Sequence, residues 1–131
     1  MNKMKKGFTL VEIMIVVAII ALLAAIAIPN LLRAKMAGND ALAQATIRSL
    51  STASETYATA YSGLYPTDIA DLTGKTPPFI SRKYCSTTLS GYQYNCNNTI
   101  SNYTYFAVPS SLGTSGSTTY TITTGGVLTP P

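Results

Sequence analysis

The sequence lacks histidine altogether, and with it the side chain that most often serves as a general base or metal ligand near neutral pH. No glycine-rich phosphate loop is present, and the two cysteines do not have the CxxC spacing of a redox or zinc site. Charged residues make up only 11% of the chain, against roughly a quarter in ordinary soluble domains. We therefore expect a protein that is not an enzyme, with no catalytic residues, no metal site and no cofactor.

Acidic residues are also scarce, and none occurs in residues 72–131. Beyond three lysines near the start of the chain, six basic and five acidic residues remain. The chain therefore has no broad basic surface of the kind that binds nucleic acid. A local patch of Lys75, Arg82 and Lys83 leaves nucleic-acid binding open without supporting it.

In place of charge, the sequence has a long apolar run from Phe8 to Ile28, in which Thr9 and Glu12 are the only polar side chains. As a helix, this run extends about 31 Å, which matches the roughly 30 Å hydrocarbon core of a bilayer. The lysines before the run favour a cytoplasmic N-terminus. A carboxylate inside a membrane span costs roughly 2.5–3.5 kcal/mol, so Glu12 needs a specific explanation.

Two ordinary explanations of the apolar run remain open. A secretory signal peptide also has a basic start and an apolar stretch, and Ala25–Ala27 has the small-residue pattern of a cleavage site. The run is long for a signal peptide, however, and Glu12 lies inside it. A plain single-pass anchor accounts for the length and leaves Glu12 unexplained.

The segment KGFTLVEIMIVVAIIALLAAIAIP, residues 6–29, resembles the N-terminus of type IV pilins and the related pseudopilins. The resemblance implies that residues 1–7 are a leader, which prepilin peptidase removes by cutting between Gly7 and Phe8. It also implies that the same peptidase methylates the new N-terminus at Phe8. The predicted boundary of the mature chain is therefore the Gly7–Phe8 bond.

The same resemblance gives Glu12 a role. Glu12 and Pro29 occupy the family's glutamate and proline positions, and together with Thr9 they are the residues that we expect to act in assembly. The carboxylate of Glu12 in one subunit would pair with the amine of Phe8 in another, inside a bundle of apolar helices. A buried charge without a partner costs far more than a paired one, so Glu12 penalises every packing in which no amine lies beside it.

The resemblance implies a structural subunit of a type IV pilus filament that serves motility, adhesion or DNA uptake. A pseudopilin of a type II secretion or DNA-uptake system is the alternative. Major pseudopilins of type II secretion bind calcium through carboxylates of a C-terminal loop, and the absence of acidic residues in 72–131 argues against such a site here. The resemblance therefore favours the pilus subunit.

The partners and location follow from the same resemblance. The implied partners are other copies of the chain, prepilin peptidase, and the pilus assembly machinery of the inner membrane. The precursor is expected in the inner membrane as a single-pass protein with a cytoplasmic N-terminus. The assembled filament is expected at the cell surface.

Helical signals continue beyond the apolar run. Pro29 and Gly38 weaken them locally, but no further proline or glycine occurs before Gly63, which suits the end of a helix. The sequence therefore predicts one helix over about 8–62, transmembrane in 8–28 and amphipathic in its second half. One face carries Ala43, Ile47, Leu50, Ser54, Tyr57 and Tyr61 at helical spacing, with Arg48 and Glu55 on other faces.

Residues 63–131 are expected to form a small globular β-head, which gives an α+β fold: a long N-terminal helix packed on an antiparallel sheet of three or four strands. A short helix is predicted near 67–72, where Asp68 and Asp71 are interpreted as solvated charges near a helix start. Alternating side chains and a Gly-Gly turn predict strands at 91–96, 102–108, 118–123 and 127–128.

The two cysteines, Cys85 and Cys96, are predicted to form a disulfide. The pair lies in a chain with an export signal, and disulfides persist in the oxidising compartments that such signals lead to. Two free buried thiols are the alternative. The bridge would close an internal loop and leave the C-terminal segment to be held by strand pairing.

Overall fold

The computed structural model describes residues 7–130. Of the predicted leader, Gly7 is described, whereas residues 1–6 lie outside the described residues, as does Pro131. The chain divides into two compact units, one that ends at Ala34 and one that begins at Lys35. We call them the N-terminal unit and the head unit.

The first element is one long helix, α1, which spans Leu10–Ala60. It runs through both Pro29 and Gly38, which confirms the single helix predicted over 8–62. After its last residue, Ser62 and Gly63 have φ values of 56° and 86°. The Gly63 N–H donates to the carbonyl of Ala58 at 2.7 Å, so this glycine ends the helix as its position in the sequence predicted.

The N-terminal unit presents apolar side chains to its surroundings along its described length. Leu10 is 75% exposed and Leu31 is 72% exposed. The most apolar 18-residue window of α1 has a mean hydropathy of 3.0, and none of it is buried. By length and composition, α1 is the one helix among the described residues that can cross a membrane.

The head unit contains a five-stranded antiparallel sheet whose spatial order follows the chain order. Four of its strands lie where the alternation predicted them, so the prediction of three or four strands was one short. The five strands are β1 (Thr87–Leu89), β2 (Tyr92–Asn98), β3 (Tyr103–Pro109), β4 (Tyr120–Thr123) and β5 (Val127–Thr129).

The strand that the sequence reading missed is β1. Its three residues are too few to show an alternating pattern, and Thr87 and Thr88 are both exposed. Strand β1 pairs with β2 through the two-residue turn Ser90-Gly91, in which both residues have positive φ. That turn chemistry is typical of tight hairpins, and the Ser-Gly pair was the signal that could have revealed the strand.

A second helix, α2 (Ile69–Thr73), begins close to the predicted short helix. Its N-cap is Asp68, whose Oδ1 accepts a hydrogen bond from the Ala70 N–H at 2.7 Å. The Oδ2 of Asp71 accepts one from the Asp68 N–H at 3.2 Å. The two carboxylates therefore form a reciprocal capping box that fixes the start of α2.

The core of the head unit lies between the second half of α1 and one face of the sheet. The alternation predicted for β3 is confirmed, because Tyr103 and Tyr105 are fully buried whereas Thr104 and Phe106 on the other face are half-buried. Tyrosine supplies most of the buried volume on the sheet side. The buried cluster is formed by Ala43, Ile47, Leu50, Tyr92, Tyr94, Tyr103, Tyr105, Ala107, Tyr120 and Ile122.

Candidate functional site

The predicted processing site lies at the start of the described residues. Phe8 is 86% exposed, and a side chain at Gly7 would meet no heavy atom within 4 Å. Neither residue belongs to a helix or strand. The peptide bond between them is therefore accessible, and its cleavage, like the methylation of Phe8, stays a prediction.

Thr9 and Glu12 meet at the first turn of α1. The Glu12 Oε2 accepts hydrogen bonds from the Thr9 N–H at 2.8 Å and from the Thr9 Oγ1 hydroxyl at 2.7 Å. In return, the Glu12 N–H donates to Thr9 Oγ1 at 3.2 Å. This is a capping box of the T-x-x-E type, and it satisfies polar groups that would otherwise be unpaired in an apolar environment.

The capping box uses one oxygen of the carboxylate. Among residues 7–130, no group donates a hydrogen bond to the second oxygen, Oε1. A carboxylate can accept on both oxygens, so Oε1 of Glu12 is available to a donor from outside the chain. The structure thus brings two of the predicted assembly residues together, and their role in assembly stays a prediction.

Pro29, the third predicted assembly residue, lies inside α1 and is exposed. It lies more than four turns from Glu12, and no hydrogen bond links the two. Its lack of an N–H donor is tolerated here within a helix that continues on both sides. A role for Pro29 in assembly stays a prediction.

A carboxylate that the sequence reading placed away from the buried face turns out to join the helix to the sheet. Glu55 is half-buried, and its Oε1 accepts from the Tyr103 hydroxyl at 2.7 Å and from the Gly125 N–H at 2.8 Å. Its Oε2 accepts from the Tyr65 hydroxyl at 3.0 Å. Glu55 lies off the apolar stripe, but its edge position on the helix lets it reach the long side chains of Tyr65 and Tyr103.

The hydrogen bonds also set the charge state of Glu55. Partial burial raises the pKa of its carboxyl, but donation from Tyr103, Gly125 and Tyr65 outweighs it, so the pKa lies below the usual value. The carboxylate is therefore held ionised at neutral pH, where it accepts all three hydrogen bonds.

A second carboxylate, Asp40, also joins α1 to distant parts of the head unit through hydrogen bonds, nearer the start of that unit. Its Oδ1 accepts from the Tyr92 hydroxyl at 2.7 Å and from the Ser117 N–H at 3.0 Å, and its Oδ2 accepts from the Ser117 hydroxyl. Burial raises the pKa of Asp40, and the donors Ser117 and Tyr92 lower it further than burial raises it. Asp40 and Glu55 are called the carboxylate clamps below.

The predicted disulfide is confirmed. Cys85 and Cys96 are bonded, with their Cα atoms 5.5 Å apart. The bridge links the segment before β1 to β2 and encloses the β1–β2 hairpin. It therefore staples an internal loop, as expected from the distance between Cys96 and the C-terminus.

The described residues contain no group of three or more histidine, cysteine, aspartate or glutamate side chains that could hold a metal ion. The candidate features for a function among these residues are the accessible Gly7–Phe8 bond, the capped carboxylate of Glu12 in an apolar segment, and the carboxylate clamps of the head unit.

Comparison with known proteins points to the same N-terminal segment. The model of the family described as "Prokaryotic N-terminal methylation motif" matches residues 2–28. The chain is 60% identical over 40 residues to the type IV wide pilus major component PilA4 of Thermus thermophilus, a match that covers 30% of this chain and 30% of that protein. It is 45% identical over 56 residues to the type IV major pilin protein PilA of Myxococcus xanthus, covering 43% of this chain and 26% of that protein.

The matched region spans less than a third of each of these curated relatives. No solved structure was found to match the chain. The comparisons therefore confirm the resemblance to type IV pilins through the N-terminal segment.

Proposed function

We propose that this chain, which carries the N-terminal segment of type IV pilins, is a structural subunit of a type IV pilus filament and not an enzyme. The observation that carries the proposal is the N-terminal unit, whose large apolar side chains are exposed and packed against none of the other described residues. A contiguous apolar surface of this size requires lipid or other protein chains around it. A pilus subunit is surrounded by lipid as a membrane precursor and by other protein chains in the polymer.

In this proposal the precursor sits in the inner membrane as a single-pass protein with its N-terminus in the cytoplasm. Prepilin peptidase cuts between Gly7 and Phe8 and methylates the amine of Phe8. The assembly machinery then moves the subunit into a helical homopolymer at the cell surface. Because the apolar helix leaves lipid and not water, the polymer gains little from the hydrophobic effect, and side-chain packing and charge pairing must favour it.

The geometry at Glu12 suits such charge pairing. The capping box with Thr9 holds Oε2 and restricts the rotamer of the side chain. Oε1 is free to accept from the amine of Phe8 in a neighbouring subunit. A subunit packed without an amine beside Glu12 would bury an unpaired charge at high cost. The capping box thus supports the carboxylate before assembly, and the neighbour's amine neutralises it afterwards.

The test separates capping from charge. Glu12→Gln keeps an acceptor for the capping box but has no charge, and Glu12→Ala has neither. Both variants should be inserted and cut normally, yet give at least tenfold fewer fibres than the wild type. Met14→Leu, a volume-conserving change in the same exposed segment, is the matched control and should assemble normally.

The measurement is mass spectrometry of the sheared surface fraction together with fibre counts by electron microscopy. The expected N-terminus is methylated Phe8. Wild-type fibre yield from Glu12→Gln would overturn the charge-pairing mechanism and leave the pilus assignment standing. An N-terminus after Ala27 would instead establish a conventional signal peptide and a secreted head unit.

The alternative that shares the same N-terminal motif is a pseudopilin. Abundant long fibres that disappear when the chain is deleted are the result expected of a pilus subunit. Loss of protein secretion or DNA uptake in a strain without such fibres would establish the pseudopilin. The same deletion strain, complemented with the wild-type chain, serves as the control for both outcomes.

A further inference from the structure

The head unit has a groove of about 940 Å³ between α1 and the segment Lys75–Ile80, which we call the basic groove. Two cationic side chains, Arg48 and Lys75, line it, and no carboxylate does. Arg48 is exposed. The Lys75 ammonium lies over the ring of Tyr61 at 5.3 Å from its centroid, and Tyr61 also lines the groove.

Most of the remaining lining residues of the groove are apolar or already hydrogen-bonded. Pro77, Pro78 and Phe79 form one side. On the helix side, the hydroxyls of Thr52 and Thr56 donate to backbone carbonyls of their own helix. The two cations are therefore the groups in this groove that are best suited to bind a charged partner, and that partner must be anionic.

The four acidic residues of the head unit differ in the hydrogen bonds that they accept from other parts of the chain. Each of the carboxylate clamps, Asp40 and Glu55, accepts three hydrogen bonds, one from a tyrosine of the sheet and two from residues of loops and turns. Asp68 and Asp71, which we call the acidic corner, accept hydrogen bonds only from their own turn. Asp68 Oδ2 and Asp71 Oδ1 accept none from the described residues, and Asp68 is exposed.

We propose that the basic groove of one copy receives the acidic corner of a second copy in the assembled polymer. This inference rests on the proposed function, because it needs a filament. The groove and the corner have no residue in common. The subunits of a helical filament are related by a repeated screw operation and not by a two-fold axis, so the contact is head-to-tail. Such a contact does not close on itself and continues into an open helical polymer.

The charges of the head unit favour a second copy over a nucleic acid as the occupant. From Lys35 onward there are five basic and four acidic residues, so the unit has little net charge to attract a polyanion. It instead carries the basic groove, which no carboxylate lines, and the acidic corner, whose carboxylates accept hydrogen bonds only from their own turn. Complementary charges of this kind fix the register between partners more than they add affinity.

The first experiment is cross-linking in intact fibres, with substitutions that leave all four charges in place. Ala70→Cys lies in α2 beside the acidic corner, and Thr76→Cys lines the groove; both positions are exposed. The native cysteines are bonded to each other. Mixed fibres of the two single variants, treated with a short bis-maleimide, should give a covalent dimer.

The design contains its own controls. Fibres of either single variant alone should give at least tenfold less dimer, because like positions do not meet in a head-to-tail contact. Asp68→Asn/Asp71→Asn keeps acceptors for the α2 capping box and removes the charge, so adding it to both variants should reduce the dimer at least fivefold.

Three results would overturn the inference. Wild-type-like fibres that give no mixed dimer would remove the contact and leave the proposed function intact. A mixed dimer unaffected by Asp68→Asn/Asp71→Asn would mean that the charges do not hold it. Fibres without the dimer that retain a fluorescent single-stranded oligonucleotide, and lose it with Arg48→Glu/Lys75→Glu, would identify a polyanion as the occupant. Absence of wild-type fibres would overturn the proposed function itself.

Discussion

The two units share one helix but differ in whether its apolar side chains are buried within the chain. In the N-terminal unit, α1 is apolar on all sides, and its large hydrophobic residues are exposed. In the head unit, the same helix buries a stripe that includes Ala43, Ile47 and Leu50. The first part therefore depends on lipid or other chains for its burial, whereas the second part obtains it within the chain.

The polar groups of the two units also differ, in the sequence distance to their hydrogen-bond partners. In the N-terminal unit, Glu12 is held by Thr9, three residues away along the chain. In the head unit, Asp40 and Glu55 are held by donors as far as 77 and 70 residues away. Local hydrogen bonds satisfy only part of the polar groups in the N-terminal unit, since Oε1 of Glu12 accepts none from the described residues. The long-range hydrogen bonds tie the head unit into a single folded body.

The exposed face of α1 in the head unit shows a further contrast. A ridge of hydroxyl side chains runs along it, each donating to the carbonyl four residues earlier at 2.8–2.9 Å. The ridge consists of Ser49, Thr52, Thr56 and Thr59. The surface is polar, yet its donors are used internally. This face is thus compatible with water as well as with a protein partner, whereas the apolar surface before Ala34 is suited only to lipid or protein.

The largest expected effect comes from separating the two units. A chain that begins at Lys35, exported by an unrelated signal peptide, should be soluble and monomeric and should form no fibres. Its disulfide and its buried cluster lie wholly within the remaining residues, so its circular dichroism should retain helix and strand signals. Ultracentrifugation of membrane and soluble fractions measures the partition, with the full-length chain as control. Recovery of the shortened chain in membranes would contradict the comparison.

The second prediction tests the buried stripe of the head unit. Leu50→Ala in the shortened chain should lower the free energy of unfolding by about 2–5 kcal/mol, because it leaves a cavity between helix and sheet. Leu50 is fully buried. Leu42→Ala, on the same helix but 41% exposed, is the matched control and should cost far less. Urea unfolding monitored by circular dichroism distinguishes the two, and equal losses would mean that the stripe is not the core.

The third prediction concerns one hydroxyl. Tyr103→Phe removes a group that lies 2.7 Å from both Ser51 Oγ and Glu55 Oε1, and it leaves the buried Ser51 with one partner fewer. The expected cost is about 1–3 kcal/mol. Tyr57→Phe is the control, because the Tyr57 side chain contributes to ring packing and its hydroxyl bonds to no described residue. It should change stability by no more than about 0.5 kcal/mol; similar losses in both variants would remove the special role of Tyr103.

Much of the fold could be predicted from the sequence because its signals are local and repeated. The helix was placed to within two residues at each end, since a long apolar run and then an amphipathic stripe both follow helical spacing. Strands β2 to β5 were found from alternation and a Gly-Gly turn. Strand β1 was missed because three residues carry too little pattern.

The interactions that hold the head unit together were not predictable in the same way. Glu55 lies outside the apolar stripe that the sequence predicts, so its position in the sequence suggests exposure to solvent. Its partners Tyr103 and Gly125 are 48 and 70 residues further along the chain. No local sequence pattern predicts such a contact, because only the packing of the helix on the sheet brings these groups together. The Thr9–Glu12 capping box, by contrast, is visible in the sequence as T-x-x-E.

The carboxylate clamps lead to the smallest of the expected effects, a dependence of stability on pH. The pKa values of Asp40 and Glu55 lie below their usual values in the folded chain, so the unfolded chain binds protons more readily. Their contribution to stability is therefore present above the unfolded values of about 4 and is lost as the pH falls through the lower folded values. The shortened chain should unfold at progressively lower urea concentrations from pH 5 to pH 3.

The matched variant is Asp40→Asn/Glu55→Gln, which retains one acceptor oxygen at each position but cannot titrate there. It should be less stable than the parent at pH 7, because an amide accepts fewer hydrogen bonds than a carboxylate. Its urea midpoint should then fall less between pH 5 and pH 3. The two chains differ only at the clamps, so the difference between their pH profiles reports on Asp40 and Glu55. Parallel pH profiles for the two chains would show that protonation of the clamps is not linked to folding. They would contradict the view that the long-range hydrogen bonds of Asp40 and Glu55 stabilise the head unit.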